Sequence, residues 1–244
     1  MPVENNVPFI VEETGDFAVV YKPPKMHSVP IGRGKDDTLL EWYSSHSPPA
    51  FDLVHRLDFE THGLVLAAKT LQSYKFFNDL QDRGEFVKEY SAICSSVPDI
   101  SDFFSGFPPP PVHAYQGLSH GKPQAIESFF RPFGPGRKQV RPVIDDGKKH
   151  KEIAKDGGSC YRTEIIDING NTFTVRIRRG FRHQIRCHLC WYGSPIMNDP
   201  LYGTAPAGDV SGILALRAHA LFFTGPCGRR FEYSIKSLLE KANI

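Results

Sequence analysis

Apolar residues recur along this chain in short bursts, and the spacing within each burst predicts an element. FAVVYKPP, Phe17 to Pro24, is a near-continuous apolar run stopped by two prolines and reads as a short buried strand. LVLAAK, from Leu64, reads as a second buried strand. Thr38-Leu39-Leu40-Glu41 has capping-box spacing and opens a short helix through Trp42 and Tyr43. Thr70 caps another helix, on which Leu71, Tyr74, Phe77 and Leu80 share a face and which Gly84 ends. FVKEYSAIC alternates, with Phe86, Lys88, Tyr90 and Ala92 on one side and Val87, Glu89, Ser91 and Ile93 on the other.

Between Val97 and Gly158 the pattern dissolves into a proline run at Pro108 to Pro111, a Gly134-Pro135-Gly136 step and charge clusters. That segment is expected to be loops with a few short strands. YRTEIIDI-NGN-TFTVRIR then gives the clearest hairpin in the chain. On its second strand Phe173, Val175 and Ile177 face one way, and Thr174, Arg176 and Arg178 the other. After Gly180 the period turns helical, with Ile185, Leu189 and Tyr192 in a stripe and Gly193 and Pro195 ending it. On this reading Arg182 and Arg186 lie four apart and project from one face of the helix's first turns. Strands dominate and regular βαβ alternation is absent. The expectation is an α+β fold around a mixed, mainly antiparallel sheet, as one domain spanning residues 1–244.

Composition narrows the class. Hydrophobic content of 40% and charged content of 23% are those of an ordinary globular protein, so no disordered or fibrous class is called for. No apolar run reaches the ~18 residues of a membrane helix, so no membrane association is expected. The N-terminus is acidic and has neither signal nor transit character. An odd set of five cysteines argues against a disulfide framework and for a reducing cytoplasm. Net charge is only +2, but Arg176 to Arg186 holds five arginines and no acid, and Arg131 to Lys155 is also basic. Local positive fields of this kind suit phosphate-rich ligands.

Candidate chemistry gathers at Arg56 and Asp58, on the lip of the LVLAAK strand. A carboxylate there can be a nucleophile, a base, a metal ligand or a cap, and a neighbouring arginine keeps it ionised, as a nucleophile requires. Tyr90 on its alternating strand reads as core or as catalyst. Arg182 and Arg186, behind a glycine at a helix start, could receive an anion. Cys187 and Cys190 form one C-x-x-C near His183 and His188, with no second pair and no H-E-x-x-H. Buried helix cysteines are the better reading, so no metal is expected. Phosphate-binding glycine loops and a G-x-S-x-G elbow are absent from the sequence, which removes support for ATP, NAD or serine-hydrolase chemistry.

Taken together, the ordered segments resemble the RluA-type pseudouridine synthases. VHRLDFETHGLVLAAKT resembles that family's H-R-L-D…T-small-G-L-L-L-x-A-K motif, and VKEYSAIC its K-x-Y-x-A strand. RRGFRHQIRCHLCWYGSPIMNDPLYG resembles its T-G-R-x-H-Q-I-R-x-H-L…G-x-P-I-x-G-D-x-x-Y-G segment. VVYKPPKMHSVP resembles the lysine-proline strand end, and LRAHALFF the L-H-A strand. The blocks keep the family's order from about Phe17 to Tyr233.

The resemblance implies a pseudouridine synthase fold and isomerisation of uridine within ribosomal or transfer RNA, without cofactor or metal, by a monomer. It implies that Asp58 attacks the target nucleoside, that Tyr90 stacks on the base and helps move a proton, and that Arg56 fills the space left by the flipped uridine. Lys22, His55, His183 and Arg186, further basic positions in these motifs, are expected to contact RNA. Two positions depart from the pattern. Phe181 stands where the arginine paired with the catalytic aspartate is expected, and His62 replaces a serine. Arg182, one residue on, is the expected substitute partner for Asp58. No room precedes Phe17 for the S4 domain that some members carry, so substrate choice is expected to rest on the catalytic domain and the basic 131–155 stretch.

Overall fold

The computed structural model describes residues 6–31, 37–47, 51–96, 105–109, 124–144, 160–203 and 212–235. In chain order these form β1 (Phe9–Glu13), β2 (Phe17–Lys22), α1 (Leu39–His46), β3 (Asp52–Leu53), β4 (His62–Ala68), α2 (Leu71–Asp82) and β5 (Val87–Ile93). There follow β6 (Gln124–Phe133), β7 (Gln139–Val143), β8 (Tyr161–Asn169), β9 (Thr172–Ile177), α3 (Gln184–Trp191), β10 (Leu216–Thr224) and β11 (Arg230–Ser234). The chain divides into two units, Met1–Tyr90 with Leu216–Ile244, and Ser91–Ala215. No helix among the described residues is long and apolar enough to cross a membrane.

In the first unit β2 pairs antiparallel with β1 and β4, β4 pairs parallel with β10, and β11 closes antiparallel on β10. β2 and β4 are buried at every residue, which is why both read as apolar runs rather than as alternating strands. α2 places Phe77 and Leu80 among Phe17, Leu64, Leu66 and Phe223. Phe17 meets Phe77 and Phe223 edge-on at 5.7 and 5.3 Å, the geometry that aromatic quadrupoles favour. Both predicted caps form, Thr38 with Glu41 and Thr70 with Ser73. The buried face of α2 is Ser73, Phe77 and Leu80, and Leu71 is half exposed. Leu71 lies about 120° round the helix from Phe77 and so falls off the stripe.

The parallel contact of β4 with β10 depends on Gly63. Its φ is +128°, and a Cβ there would stand 2.1 Å from the Ala218 carbonyl oxygen. Only glycine permits that backbone and that approach.

The second unit is an antiparallel run, with β6 paired to β7 and β8, and β8 to β9. The predicted hairpin turns between Asn169 and Thr172, with Gly170 at φ +57°, and β9 alternates as expected. β6 is a ten-residue strand where only loops and short strands were expected. Its inward set is Ile126, Ser128 and Phe130, and the serine in the middle hides the period. Ser128 is inside because its hydroxyl bonds His188 Nε2 at 2.9 Å.

α3 departs most from expectation. It starts at Gln184, and every residue through Trp191 is buried, so it has no polar face to offer. Its polar side chains are satisfied internally. Gln184 donates to the Arg162 carbonyl and to Thr163 Oγ1, Arg186 bonds Asp199, and His188 bonds Ser128 and Thr163. Cys187 and Cys190 are buried beside Phe130, Val140, Tyr161 and Tyr202, as helix-core cysteines.

Gly63→Ala should destabilise the protein by about 3 kcal/mol or more, from a strained φ plus a clash with β10. Urea unfolding measures it, and a variant as stable as wild type would contradict the close approach. A second outcome concerns pH. Burial lowers the His188 imidazole from 6.5 to about 3, so between those values the unfolded chain binds a proton that the native protein refuses. Stability is therefore lost as pH falls below 6.5. His188→Gln should flatten the dependence of the unfolding free energy between pH 7 and pH 5 by about 2 kcal/mol.

Candidate active site

Asp58 sits in the loop that joins β3 to β4, and that loop is fixed along its length. Val54 N–H donates to the Leu66 carbonyl at 2.8 Å, and its own carbonyl accepts from Gln81 Nε2 at 2.9 Å. Ser28 Oγ accepts from Leu57 N–H at 3.1 Å and donates to the Leu57 carbonyl at 2.8 Å. Thr61 N–H donates to the Asp58 carbonyl at 3.1 Å, closing a turn, and Lys22 Nζ donates to the Phe59 carbonyl at 3.3 Å. A backbone bonded on both sides of the carboxylate holds it on a rigid base.

From that base Arg56 is exposed and Asp58 half-buried. Phe59 is 39% exposed and rests against the His27 ring at 4.5 Å. Tyr90 on β5 is buried, and burial together with the charge of Asp58 pushes its phenol far up. The hydroxyl therefore keeps its proton at neutral pH. Lys22, at the end of β2, is 0% exposed. Burial pulls its ammonium down against the opposing charges of Asp58 and then Glu60, and the balance brings it from 10.5 to about 7. Asp58 is thus electrostatically linked to both Lys22 and Tyr90 within the first unit.

Three of the side chains expected to contact RNA are enclosed within the protein. Lys22 is wholly enclosed and donates to the carbonyls of Pro23, Met26 and Phe59. His55 is buried against Phe86, where its Nε2 accepts from Leu66 N–H at 3.2 Å and burial then nearby Lys88 keep the ring neutral. Arg186 is enclosed with Asp199, at 2% and 0% side-chain exposure, in a two-pronged ion pair at 2.7 Å. None of the three presents a charge to a phosphate. Motif spacing suggested basic surface positions, but the burial of these sites turns the same residues into internal braces.

Arg182 and Arg186 also part company. Arg182 precedes α3 and is exposed, because His183 adopts a left-handed φ of +58° and separates it from the helix. Its Nη2 donates to the carbonyls of Arg137 and Gln139 at 2.7 and 3.3 Å. His183 is half-buried, with Nδ1 3.2 Å from the Tyr202 hydroxyl. Phe181 stacks parallel on Phe130 at 5.1 Å and leans on Tyr161 at 5.0 Å, which places it against the core of its unit. His62 is buried on β4, and its Nε2 accepts from Arg217 Nε at 3.0 Å. Arginine can only donate, so that imidazole is neutral with its proton on Nδ1.

Sequence reasoning missed Ser28, Gln81 and Arg217. Gln81 fixes Val54 and also accepts from Lys88 Nζ at 2.9 Å, yet it occupies an unremarkable polar position on α2. Arg217 carried one signal, a charge inside an otherwise apolar strand. Residues 145–155 of the basic stretch, with Lys148, Lys149 and Lys151, lie outside the described residues. No group of three or more His, Cys, Asp or Glu able to hold a metal occurs among the described residues.

Comparison with known proteins gives the family. The RNA pseudouridylate synthase family model matches residues 16–191. The chain belongs to that family, in its RluA-type branch. It is 31% identical over 197 residues to an uncharacterised RNA pseudouridine synthase of Helicobacter pylori, covering 80% of this chain and 59% of that one. It is 28% identical over 208 residues to ribosomal large subunit pseudouridine synthase D of Haemophilus influenzae, covering 82% and 55%. The chain thus spans a little over half the length of these curated relatives. Human RNA pseudouridylate synthase domain containing 1 superposes with a TM-score of 0.67 at 18% identity, over 97% of this chain and 86% of that one. The α+β pseudouridine synthase fold, with its mixed sheet, is the one expected.

Asp199→Asn should cost about 3 to 5 kcal/mol, because it leaves Arg186 as an uncompensated buried charge. Denaturant unfolding reads the loss. A near-neutral effect would return Arg186 to the list of candidate RNA contacts.

Proposed function

We propose that this protein is an RNA pseudouridine synthase in which Asp58 is the nucleophile. The observation that carries the reading is the rigid Asp58 loop, with Tyr90 held protonated within reach of the same charge. A paired uridine cannot reach a carboxylate, so the base leaves the stack and Arg56, the exposed arginine two residues before Asp58, fills the gap. Asp58 bonds to C1′ of the ribose as the N1–C1′ bond breaks, and the electron pair leaves with uracil. The uracil turns in place, C5 bonds to C1′, and the Asp58 ester bond breaks. C5 loses its proton and N1 gains one, so the balance closes without oxidant, metal or cofactor. Tyr90, with its phenol far above neutrality, serves as an aromatic wall and proton donor rather than as a standing phenolate.

The name of the Haemophilus influenzae relative makes large-subunit ribosomal RNA the first substrate to try, with transfer RNA next, in a cytoplasmic setting. A second reading, an RNA-binding protein on this fold without catalysis, is favoured by one observation. Phe181 puts a ring, packed on Phe130, where the family carries a cation.

Unmodified ribosomal and transfer RNA transcripts, incubated with the protein and mapped for pseudouridine, separate the two readings. Asp58→Asn should abolish modification while holding RNA affinity within a few-fold, since phosphate contacts supply most of the binding. Turnover in that variant at a tenth of the wild-type rate would remove Asp58 from the role. Binding without modification by the wild-type protein would favour the inactive binder.

A further inference from the structure

Two segments of the first unit, residues 26–28 and 57–59, are tied together on either side of an aromatic contact. Lys22 Nζ donates to the Met26 carbonyl at 2.7 Å and to the Phe59 carbonyl at 3.3 Å, so one buried side chain holds both segments. Ser28 Oγ accepts from Leu57 N–H at 3.1 Å and donates to the Leu57 carbonyl at 2.8 Å. The His27 and Phe59 rings lie 4.5 Å apart, tilted by 37°. His27 is itself anchored, because its carbonyl accepts from Leu39 N–H at 2.9 Å at the start of α1. Phe59 is thus fixed at its backbone, backed by a second ring and still 39% exposed. An apolar residue scattered singly on a surface needs no explanation. Phe59 is braced, and it directly follows Asp58.

We propose that Phe59, backed by His27, is a stacking platform for the RNA base next to the target uridine. This inference rests on the reading of the Asp58 loop as the site of a reaction on an RNA uridine. Three features favour a base as the occupant. Consecutive Cα atoms are ~3.8 Å apart, so a group resting on Phe59 is an immediate neighbour of the group that Asp58 attacks. Exposed cations bracket the two rings in sequence, Lys25 two residues before His27 and Arg56 three before Phe59. Aromatic rings among basic side chains are the composition that binds single-stranded nucleic acid, the rings taking bases and the cations phosphates. The ring is also held in place before RNA arrives, so little ordering remains to be done on binding. Every base has a π-face, so the platform sets the register of the strand and not the identity of the flanking base.

Affinity for an RNA oligonucleotide that carries the mapped target uridine tests this, through paired changes in protein and RNA. Phe59→Ala should weaken binding about tenfold, and removing the base on one side of the uridine should weaken wild-type binding to a similar degree. The two losses should not add, so Phe59→Ala should bind the intact and the abasic RNA equally. Phe59→Tyr and Phe59→Trp should stay within about threefold of wild type, and Phe59→Leu should bind as weakly as Phe59→Ala. Losses that add at both the 5′ and the 3′ neighbour overturn the proposal and leave Phe59 as a brace of the loop. Wild-type affinity in Phe59→Leu overturns it too, since that marks a plain apolar contact of the kind a protein partner makes. If Phe59→Ala fails to fold, Phe59→Trp decides. Its added indole emission should be quenched by the intact RNA and not by RNA lacking the flanking base, and equal emission with the two overturns the proposal. Binding is read throughout, so turnover surviving in Asp58→Asn would sink the nucleophile reading and leave the platform standing.

Discussion

A buried ammonium that must satisfy three carbonyl oxygens is the constraint on which the Asp58 end of the first unit depends. The sequence around it is built to supply those oxygens. Pro23 and Pro24 have no N–H, so β2 cannot continue pairing through them, and the strand gives way to a turn. Lys25 takes a left-handed φ of +58°, which brings the Met26 carbonyl back over Lys22 Nζ. The third oxygen comes from Phe59, across the sheet-end loop. Remove the ammonium and three buried carbonyls lose their donor at once, one of them next to the candidate nucleophile. That coupling ties the geometry of the Asp58 loop to a residue 36 positions earlier in the chain.

Arg186 and Lys22 bury positive charge in different ways. Arg186 is paired with Asp199 in two short bonds, and Asp199 also accepts from the N–H groups of Leu201 and Tyr202. A pair so neutralised projects little field and acts as a structural rivet for α3. Lys22 instead donates to three backbone carbonyls, and the carboxylates of Asp58 and then Glu60 favour its charged form against burial. Burial that looks alike by exposure therefore goes with an ion pair in one case and a carbonyl cage in the other.

Most of the fold was legible in the sequence because periodicity and caps are local. Thr38 and Thr70 announce α1 and α2, the Asn169-Gly170 turn announces β8 and β9, and the apolar runs of β2 and β4 announce strands covered on both faces. β6 was illegible because Ser128 breaks its apolar alternation, and its reason for being inside, His188, lies 60 residues away. α3 misled for the same reason. Arg186 looks like an anion-receiving surface residue until Asp199 is known to be its partner. Asp58 and Tyr90 were singled out as candidates by the family resemblance, since their local pattern reads equally as a cap and as core. The direction in which Lys22 and His55 point was not legible, since a basic residue in a motif reads the same whether it meets phosphate or a carbonyl cage.

Phe181 is the departure that bears most on the chemistry, and its packing suggests why it is tolerated. The ring lies parallel to Phe130, at an interplanar angle of 3°, and leans on Tyr161 beside an apolar cluster that includes Cys187 and Tyr202. An arginine packed in that position would have to bring a cation against aromatic and aliphatic surface, at a cost that only a carboxylate partner could offset. With phenylalanine the second unit keeps the stack and its dispersion energy, and needs no partner from outside.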